Sequence, residues 1–173
     1  MKNYDYRLNL VSNYFKQLDL NQKINDYFNS RTILVTGGAG AIGSNLVISL
    51  SKLVGDEGKI IVLDNLSAIK GDESIDLPPL TNMMFVKGDI RNDTDLKRVF
   101  REKPSIVYHL AAFFANQNSV DYPEKSADVD IKGIIKLLDL AQFTSVEKFI
   151  YASSGCSVYG SYGKMPLKED FIS

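Results

Sequence analysis

The sequence predicts an α/β protein with a doubly wound parallel sheet, helices on both faces and a helical N-terminal extension. Five short runs of β-branched and aliphatic residues follow Arg31, and helical patterns separate them, as in consecutive βαβ units. Residues 1–30 show helical spacing only. A chain of 173 residues is long enough for one ordinary domain. We therefore expect the extension over residues 1–30 and a single α/β domain over residues 31–173.

The extension shows apolar residues at helical spacing from Leu10 to Leu18, and again at Ile24, Tyr27 and Phe28. We expect it to pack against the domain or to form an oligomer contact. A regulatory or membrane-surface role is the alternative. It is less favoured because the polar face is not rich in Lys and Arg, as the polar faces of membrane-surface helices usually are.

Five strands and three helices are predicted after the extension. Gly55 ends the first helix, Pro104 ends the second, and the third extends from near Pro123 to before Ser145. Residues 68–80 are rich in Gly, Pro and acidic residues and are predicted to form an irregular surface insertion. The predicted strands are Thr32–Thr36, Lys59–Asp64, Met83–Lys87, Ile106–Leu110 and Lys148–Ser153. The helical residues expected to face the core are Ile42, Leu46, Val47, Leu50, Leu53, Val54, Leu96, Val99, Phe100, Ile131, Ile134, Ile135, Leu138 and Ala141.

Composition and charge argue against several classes of function. Lys and Arg total 20 and Asp and Glu total 21, so the net charge is −1 and no basic surface for nucleic acid or an anionic membrane is expected. The longest unbroken apolar run, residues 110–115, is too short to cross a membrane. With Cys156 as the single cysteine and one histidine, neither an internal disulfide nor a His-based metal site is expected. We expect a cytoplasmic protein without a metal.

The strongest functional signal is the segment TGGAGAIG, residues 36–43, between the first predicted strand and helix. It contains the overlapping patterns G-x-G-x-x-G and G-x-x-G-x-x-G in the strand-to-helix context of a Rossmann-type dinucleotide fingerprint. Glycines permit the tight turn and let a pyrophosphate approach the backbone, and the free N–H groups at the helix start bind the anion. A glycine-rich turn without a ligand is the alternative. The residues predicted to contact the cofactor here are Gly37, Gly40, Ala41, Ile42 and Gly43.

Asp64 ends the second predicted strand, 21 residues after Gly43, at the distance where the fingerprint places an acid. A carboxylate there accepts hydrogen bonds from both ribose hydroxyls of the adenosine half and repels a 2′-phosphate. The next residues, Asn65, Leu66 and Ser67, provide no Arg to neutralise such a phosphate. The pattern therefore favours NAD over NADP, with a solvated strand-end carboxylate as the alternative.

Two further segments follow the third and fourth strands, where open α/β sheets bind ligands. Asp89 is a candidate acceptor for an adenine amino group, with Ile90 against the ring, although Asp89 could instead serve as a turn residue or helix cap. The small Ala111 and Ala112 would let a cofactor lie flat on the strand end. His109 is expected to be a packed strand histidine rather than a catalyst.

These motifs together resemble the extended short-chain dehydrogenase/reductase family, specifically its NAD-dependent nucleotide-sugar epimerases and dehydratases. The resemblance extends from about Thr32 to Asp170 and includes TGGAGAIG, LDNLS, GDI, HLAA, DIKG and FIYASSGCSVYG. It implies that the adenosine half binds at Asp64, Asn65, Leu66, Ser67, Asp89 and Ile90, and that the rest of the cofactor binds at Leu110, Ala111, Ala112 and Asp130. Asp130 stands where the family usually has Asn, and an ionised Asp can only accept hydrogen bonds.

The resemblance also implies a Tyr–Lys pair, in a Y-x-x-x-K motif, that transfers the proton. No Y-x-x-x-K occurs in these 173 residues. We therefore expect a truncated, catalytically incomplete chain that ends before the Tyr–Lys helix and the substrate-binding domain. Ser154 is the candidate for the family's catalytic hydroxyl and Ser157 is the second choice. Cys156 has no basic neighbour and is interpreted as a small loop residue.

The leading hypothesis is the NAD-binding portion of a nucleotide-sugar epimerase or dehydratase that transfers hydride transiently from the sugar to NAD. An epimerase is mildly favoured, because Gly155, Cys156 and Ser157 stand where dehydratases of the family typically have acidic residues. A nucleotide sugar is the expected substrate of the complete protein, and a homodimer is possible. The alternative is a non-catalytic NAD-binding module that regulates an assembly through its N-terminal helices.

Overall fold

Five parallel strands form one sheet in the computed structural model, which describes residues 4–18, 22–68, 77–114 and 116–154. The strands are β1 Thr32–Thr36, β2 Lys59–Asp64, β3 Met83–Lys87, β4 Ile106–His109 and β5 Lys148–Tyr151. Their order is β3-β2-β1-β4-β5. The chain winds outward from β1 to β3 and then returns to place β4 on the other side of β1. The predicted doubly wound, Rossmann-type sheet is confirmed.

The carboxyl ends of the strands are level across the sheet. Thr36 pairs with Leu63 on one side and with His109 on the other, and His109 pairs with Tyr151. The first three strands have the predicted bounds, whereas β4 and β5 end one and two residues earlier than predicted. They end early because β1 stops at Thr36, so the chain beyond His109 has no neighbouring strand with which to continue the ladder.

The helices of the described residues surround this sheet. They are α1 Tyr4–Gln17, α2 Gln22–Phe28, α3 Ala41–Val54, α4 Asp93–Phe100, α5 Asn116–Asp121, α6 Pro123–Ser126, a π-helical segment Ala127–Gly133, and α7 Ile134–Gln142. The predicted helical N-terminus is therefore confirmed as α1 and α2. The predicted long third helix is present as α6, the π-helical segment and α7 in continuous succession.

Helices cover both faces of the sheet. On one face, Val47, Leu50 and Val54 of α3 pack with the inward residues of β1 and β2. On the other face, α4 and α7 contribute Leu96 and Leu137, both fully buried. Parallel strands covered on both sides are apolar at consecutive positions, which explains the unbroken aliphatic runs in the sequence.

Four helical residues predicted to face the core are exposed instead: Ile42 at 76 %, Ile131 at 57 %, Ile135 at 51 % and Leu138 at 45 %. Ile42 lies in the first turn of α3, ahead of the part of the helix that packs on the sheet. The other three are exposed because of the π-helical segment. Its hydrogen bonds span five residues, so the residues within and after it point in directions other than those that a 3.6-residue period assigns. Leu137 and Ala141 form the buried stripe.

The predicted surface insertion is also corrected in part. Leu77 and Pro78, near its end, are buried, and Leu77 belongs to the core on the α3 side. Residues 69–76 lie outside the described residues. The return from the insertion to β3 is therefore anchored by apolar packing.

Ile61 in β2 is fully buried, whereas Ile135 in α7 is half exposed. We expect Ile61→Ala to lower the free energy of unfolding by about 2–5 kcal/mol, because it removes methyl groups from a close-packed core. Ile135→Ala, the same chemical change, is expected to cost less than about 1 kcal/mol. Urea denaturation followed by circular dichroism measures both values, and equal losses would contradict the assigned faces.

Candidate cofactor-binding site

The glycine turn between β1 and α3 is built from close contacts between backbones. Gly37 has a φ of +71°, and a Cβ on it would lie 2.6 Å from the Ala111 nitrogen. A Cβ on Gly43 would lie 2.3 Å from the Gly37 carbonyl oxygen. Side chains at these two positions would force α3 and the segment after β4 away from the turn, so glycine is required for packing.

Gly40 differs from Gly37 and Gly43, because a Cβ on Gly40 would meet only the Gly37 carbonyl oxygen, at 3.3 Å. It precedes α3 in an extended conformation, and no side chain caps the helix. The first residues of α3, Ala41 and Ile42, are exposed. An uncapped helix start beside an open glycine is the backbone geometry that binds a pyrophosphate. The turn therefore fits the phosphates of a dinucleotide.

Asp64, at the end of β2, is held against this turn. One carboxylate oxygen accepts a hydrogen bond from the Ala39 N–H at 2.9 Å, and the other accepts from the Leu66 N–H at 2.8 Å. Leu66 has a φ of +62°, in the left-handed region. A carboxylate has about four acceptor positions, so each oxygen can still accept from a ribose hydroxyl. Asn65 and Ser67 follow in the same loop.

Asp89, after β3, is locked by its neighbours. Its oxygens accept hydrogen bonds from the Arg91 Nε at 2.9 Å, the Arg91 Nη2 at 2.8 Å, the Arg91 backbone N–H at 2.9 Å and the Asn65 Nδ2 at 2.8 Å. The hydrogen-bonded guanidinium of Arg91 holds the pKa of Asp89 well below its usual range. Because four donors already occupy the carboxylate, an adenine amino group would have to replace one of them.

Ile90 is only 5 % exposed. It packs against Gly133, where a Cβ would lie 2.6 Å from the Ile90 Cδ1. Its side chain therefore faces the core, which differs from the expected position against an adenine ring. Arg91 also donates to Asp128 at 3.0 Å, and Lys136 donates to the Arg91 carbonyl at 2.8 Å, so α7 and the π-helical segment are tied to this loop.

A cleft of about 650 Å³ opens beyond the carboxyl ends of β4 and β5. It brings together five of the predicted site residues, which are far apart in the sequence. These are Leu110, Ala111, Ala112, Asp130 and Ser154. Phe113, Phe114, Asn116, Ser119 and Ser126 complete one wall, and residues 151–153 form the other.

Asp130 joins the π-helical segment to the segment after β4. One of its oxygens accepts from the Phe113 N–H at 2.7 Å, and the other accepts from the Ser126 hydroxyl at 2.9 Å. Both contacts need an acceptor, so the Asp that replaces the family's usual Asn satisfies them. It leaves a carboxylate on the wall of the cleft.

His109 is a buried support for the cleft. It is 3 % exposed, its Nδ1 lies 2.7 Å from the Thr36 hydroxyl, and its ring stacks on Tyr151. Burial lowers the pKa of His109 to about 4, although the Asp130 carboxylate acts in the opposite direction. The imidazole is therefore neutral at physiological pH, and the predicted packed strand histidine is confirmed.

Ser154 lies in the described residues, on the wall of the cleft that follows β5. Gly155, Cys156 and Ser157 lie outside the described residues. Within the described part of the chain, no three His, Cys, Asp or Glu side chains are arranged to hold a metal ion. None of the helices described has the length and hydrophobicity needed to span a membrane.

Residues 33–173 match the sequence model of the NAD dependent epimerase/dehydratase family. The chain belongs to this family. The family and its cofactor, NAD, are thus as the sequence predicts.

Two solved epimerases and one curated relative show how this family member compares. A UDP-glucose 4-epimerase of Mycolicibacterium smegmatis is 38% identical over 138 residues, which cover 79% of this chain and 43% of the relative. The structure of an epimerase from Methanothermobacter thermautotrophicus superposes with a TM-score of 0.77 at 50% identity, covering 88% of this chain and 44% of that one. The Thermus thermophilus UDP-glucose 4-epimerase, solved in complex with NAD, gives a TM-score of 0.68 at 33% identity, and the match covers 82% of this chain and 43% of that one.

This member of the epimerase/dehydratase family spans less than half the length of these relatives. Its described part also contains site residues that the sequence interpretation missed. Ala39 holds Asp64, Thr36 holds His109, and Ser126 holds Asp130. Arg91 was also missed, although the sequence contains a signal for it: a cation two residues after Asp89 can fold back and donate hydrogen bonds to that carboxylate.

His109 is the single histidine of the chain, so its titration can be followed directly. We expect the imidazole Cε1 proton signal to titrate with a pKa near 4, below the ordinary value of about 6.5. Between those pH values the unfolded chain binds a proton that the folded chain does not, so stability falls as pH decreases through this window. Nuclear magnetic resonance measures the pKa.

The control is His109→Gln, in which the part of the pH dependence that is due to this group should disappear. Urea denaturation between pH 7 and pH 4.5 measures it for both proteins. A pKa near 6.5, or an unchanged pH dependence in the variant, would show that the imidazole is not buried as described.

Proposed function

We propose that this chain is the NAD-binding portion of a nucleotide-sugar epimerase. The observation that carries the proposal is the carboxylate of Asp64, held against an open glycine turn at the point where the winding of the sheet reverses. Open α/β sheets bind dinucleotides at that point. The domain proposed to bind NAD is residues 31–173, and residues 1–30 are the extension that precedes it.

Each part of the site has a proposed partner in NAD. The turn at Gly37, Gly40 and Gly43 admits the pyrophosphate, and the N–H groups of Ala41 and Ile42 bind it. Asp64 accepts from the adenosine ribose, with Asn65, Leu66 and Ser67 beside it. Asp89 and the backbone of Ile90 flank the adenine. Leu110, Ala111, Ala112 and Asp130 would hold the nicotinamide half.

The cleft is the proposed place for the sugar. NAD, when bound, would supply a reversible hydride acceptor for the sugar carbon. Ser154, on the cleft wall, is proposed to donate or accept a hydrogen bond at the reacting sugar hydroxyl. The absence of acidic residues at Gly155, Cys156 and Ser157 supports epimerisation over dehydration, and the names of the compared relatives support a UDP-hexose as substrate.

Proton transfer from the sugar requires a base that these 173 residues do not provide in the form of a Y-x-x-x-K pair. The Ser154 hydroxyl is not basic enough to act as that base by itself, and His109, which borders the cleft, is 3 % exposed with its Nδ1 at the Thr36 hydroxyl. The chain is therefore proposed to bind the cofactor and to lack turnover.

Cofactor choice is tested by calorimetric titration of the 173-residue chain with NAD and, separately, with NADP. We expect NAD to bind more tightly, because the Asp64 carboxylate repels a 2′-phosphate. Asp64→Asn should weaken NAD binding by about tenfold, the value of a hydrogen bond to a charged group. Asp64→Asn should also narrow the difference in affinity between NAD and NADP. General misfolding would weaken the binding of both cofactors without changing the ratio of their affinities.

The matched control is Asp56→Asn, which removes the same charge from an exposed residue just before the opposite end of β2. It should leave both affinities unchanged. Binding of NADP at least as tight as that of NAD, or the same ratio in Asp64→Asn, would refute the assignment of Asp64.

Turnover tests the second part of the proposal. The 173-residue chain, incubated with NAD and UDP-glucose, should produce none of the 4-epimer, as measured by chromatography of the nucleotide sugars. A longer product of the same reading frame that contains a Y-x-x-x-K pair should produce it. Turnover by the 173-residue chain would show that its own residues supply the base. A stop codon directly after Ser173 would favour the non-catalytic NAD-binding module.

A further inference from the structure

Asp130 places a negative charge on the wall of the cleft. Of the described residues that line the cleft, it is the one with a charged side chain. The single titratable histidine there, His109, is neutral because burial lowers its pKa to about 4. Asp130 is half-buried in the π-helical segment, so its carboxylate is only partly surrounded by water.

The contacts of Asp130 fix the carboxylate without neutralising it. Its oxygens accept hydrogen bonds from the Phe113 N–H and the Ser126 hydroxyl, and both of these donors are neutral. A cation near this wall is Lys125, whose Nζ lies over the Phe113 ring, 4.7 Å from the ring centroid, but Lys125 is exposed and therefore screened by solvent. The charge of Asp130 acts on the buried imidazole of His109, whose pKa it raises against the effect of burial.

A carboxylate on this wall distinguishes the two redox forms of a nicotinamide ring. The ring is a cation in the oxidised form, NAD+, and is neutral in NADH, which holds one more hydride, that is, one proton and two electrons. A carboxylate attracts the cation and has little Coulomb interaction with the neutral ring. This difference is larger at a half-buried site than in bulk water, because the effective dielectric constant is lower.

We propose that Asp130 determines the redox preference of the cofactor site, and that its charge makes this chain bind NAD+ more tightly than NADH. The inference rests on the proposed function, in which Asp130 would hold the nicotinamide half. An amide at this position could accept from the Phe113 N–H and donate to the Ser126 hydroxyl, so it would keep both contacts without the charge. The carboxylate therefore adds a preference for the oxidised cofactor that the hydrogen bonds alone do not require.

The test is calorimetric titration of the 173-residue chain and of Asp130→Asn with NAD+, with NADH and with ADP-ribose, which lacks the nicotinamide. We expect the unmodified chain to bind NAD+ more tightly than NADH. Asp130→Asn should reduce the ratio of these two affinities by about three- to tenfold, the scale of one charge at a partly screened site. ADP-ribose binding should be unchanged. A tenfold change in the ratio corresponds to about 30 mV in the reduction potential of the bound cofactor.

Two further variants separate the charge of Asp130 from its shape and from the stability of the segment. Asp130→Glu keeps the charge, so it should retain most of the preference for NAD+. Asp128→Asn removes a carboxylate two residues earlier, which forms ion pairs with Arg91 and Lys132. Because those two cations already offset its charge, Asp128→Asn should leave the ratio of NAD+ and NADH affinities unchanged. Thermal unfolding of each variant measures the effect on the fold.

An unchanged ratio in Asp130→Asn would overturn this inference, as would an equal fall in the ratio in Asp128→Asn or an equal weakening of ADP-ribose and NAD+ binding by Asp130→Asn. Binding of NADH at least as tight as that of NAD+ by the unmodified chain would overturn it even if Asp130→Asn did not fold. Failure of the unmodified chain to bind NAD+, NADH and ADP-ribose would overturn the proposed function itself, and the inference with it.

Discussion

Contact between backbones at the glycine turn is the constraint on which the rest of the site depends. The carbonyl of Gly37 lies so close to Gly43, and Ala111 lies so close to Gly37, that no side chain fits between them. These contacts bring three elements together: the end of β1, the start of α3 and the segment after β4. An open helix start then lies directly beside the cleft. A bulkier residue would separate the two halves of the site.

Charged groups hold the loops around that turn. Asp64 accepts a hydrogen bond from the glycine turn and so ties the turn to the loop after β2. Asp89 accepts hydrogen bonds from both Asn65, in that loop, and Arg91. Arg91 continues to Asp128 in the π-helical segment. Because these carboxylates accept several hydrogen bonds each, the loops at the carboxyl edge are positioned before any ligand binds. Such preorganisation reduces the entropy that binding would otherwise cost.

The cleft beyond β4 and β5 depends on a different kind of support. His109 is neutral and buried, and its ring fills the space behind the wall between Thr36 and Tyr151. Asp130 fixes the backbone at Phe113 from the opposite side. Two titratable residues therefore serve as supports for the pocket wall. In the proposed function, this leaves Ser154 as the cleft residue that contacts the sugar hydroxyl.

The sequence by itself determined the features that depend on local spacing and residue type. Strands β1, β2 and β3 were predictable to the residue from aliphatic runs, and the glycine pattern with Asp64 predicted the cofactor, because both follow from backbone geometry within one βαβ unit. Tertiary structure decided what depends on distant partners. Ile90 turns into the core because Gly133 receives it, and Arg91 closes on Asp89 because the side chain of Asp128 holds its other end. Ile131 and Ile135 are exposed because a π-helical segment changes the phase of the helix. The spacing of residue types predicts where a regular helix forms. It does not predict where that helix is interrupted or which side chains distant in sequence come into contact.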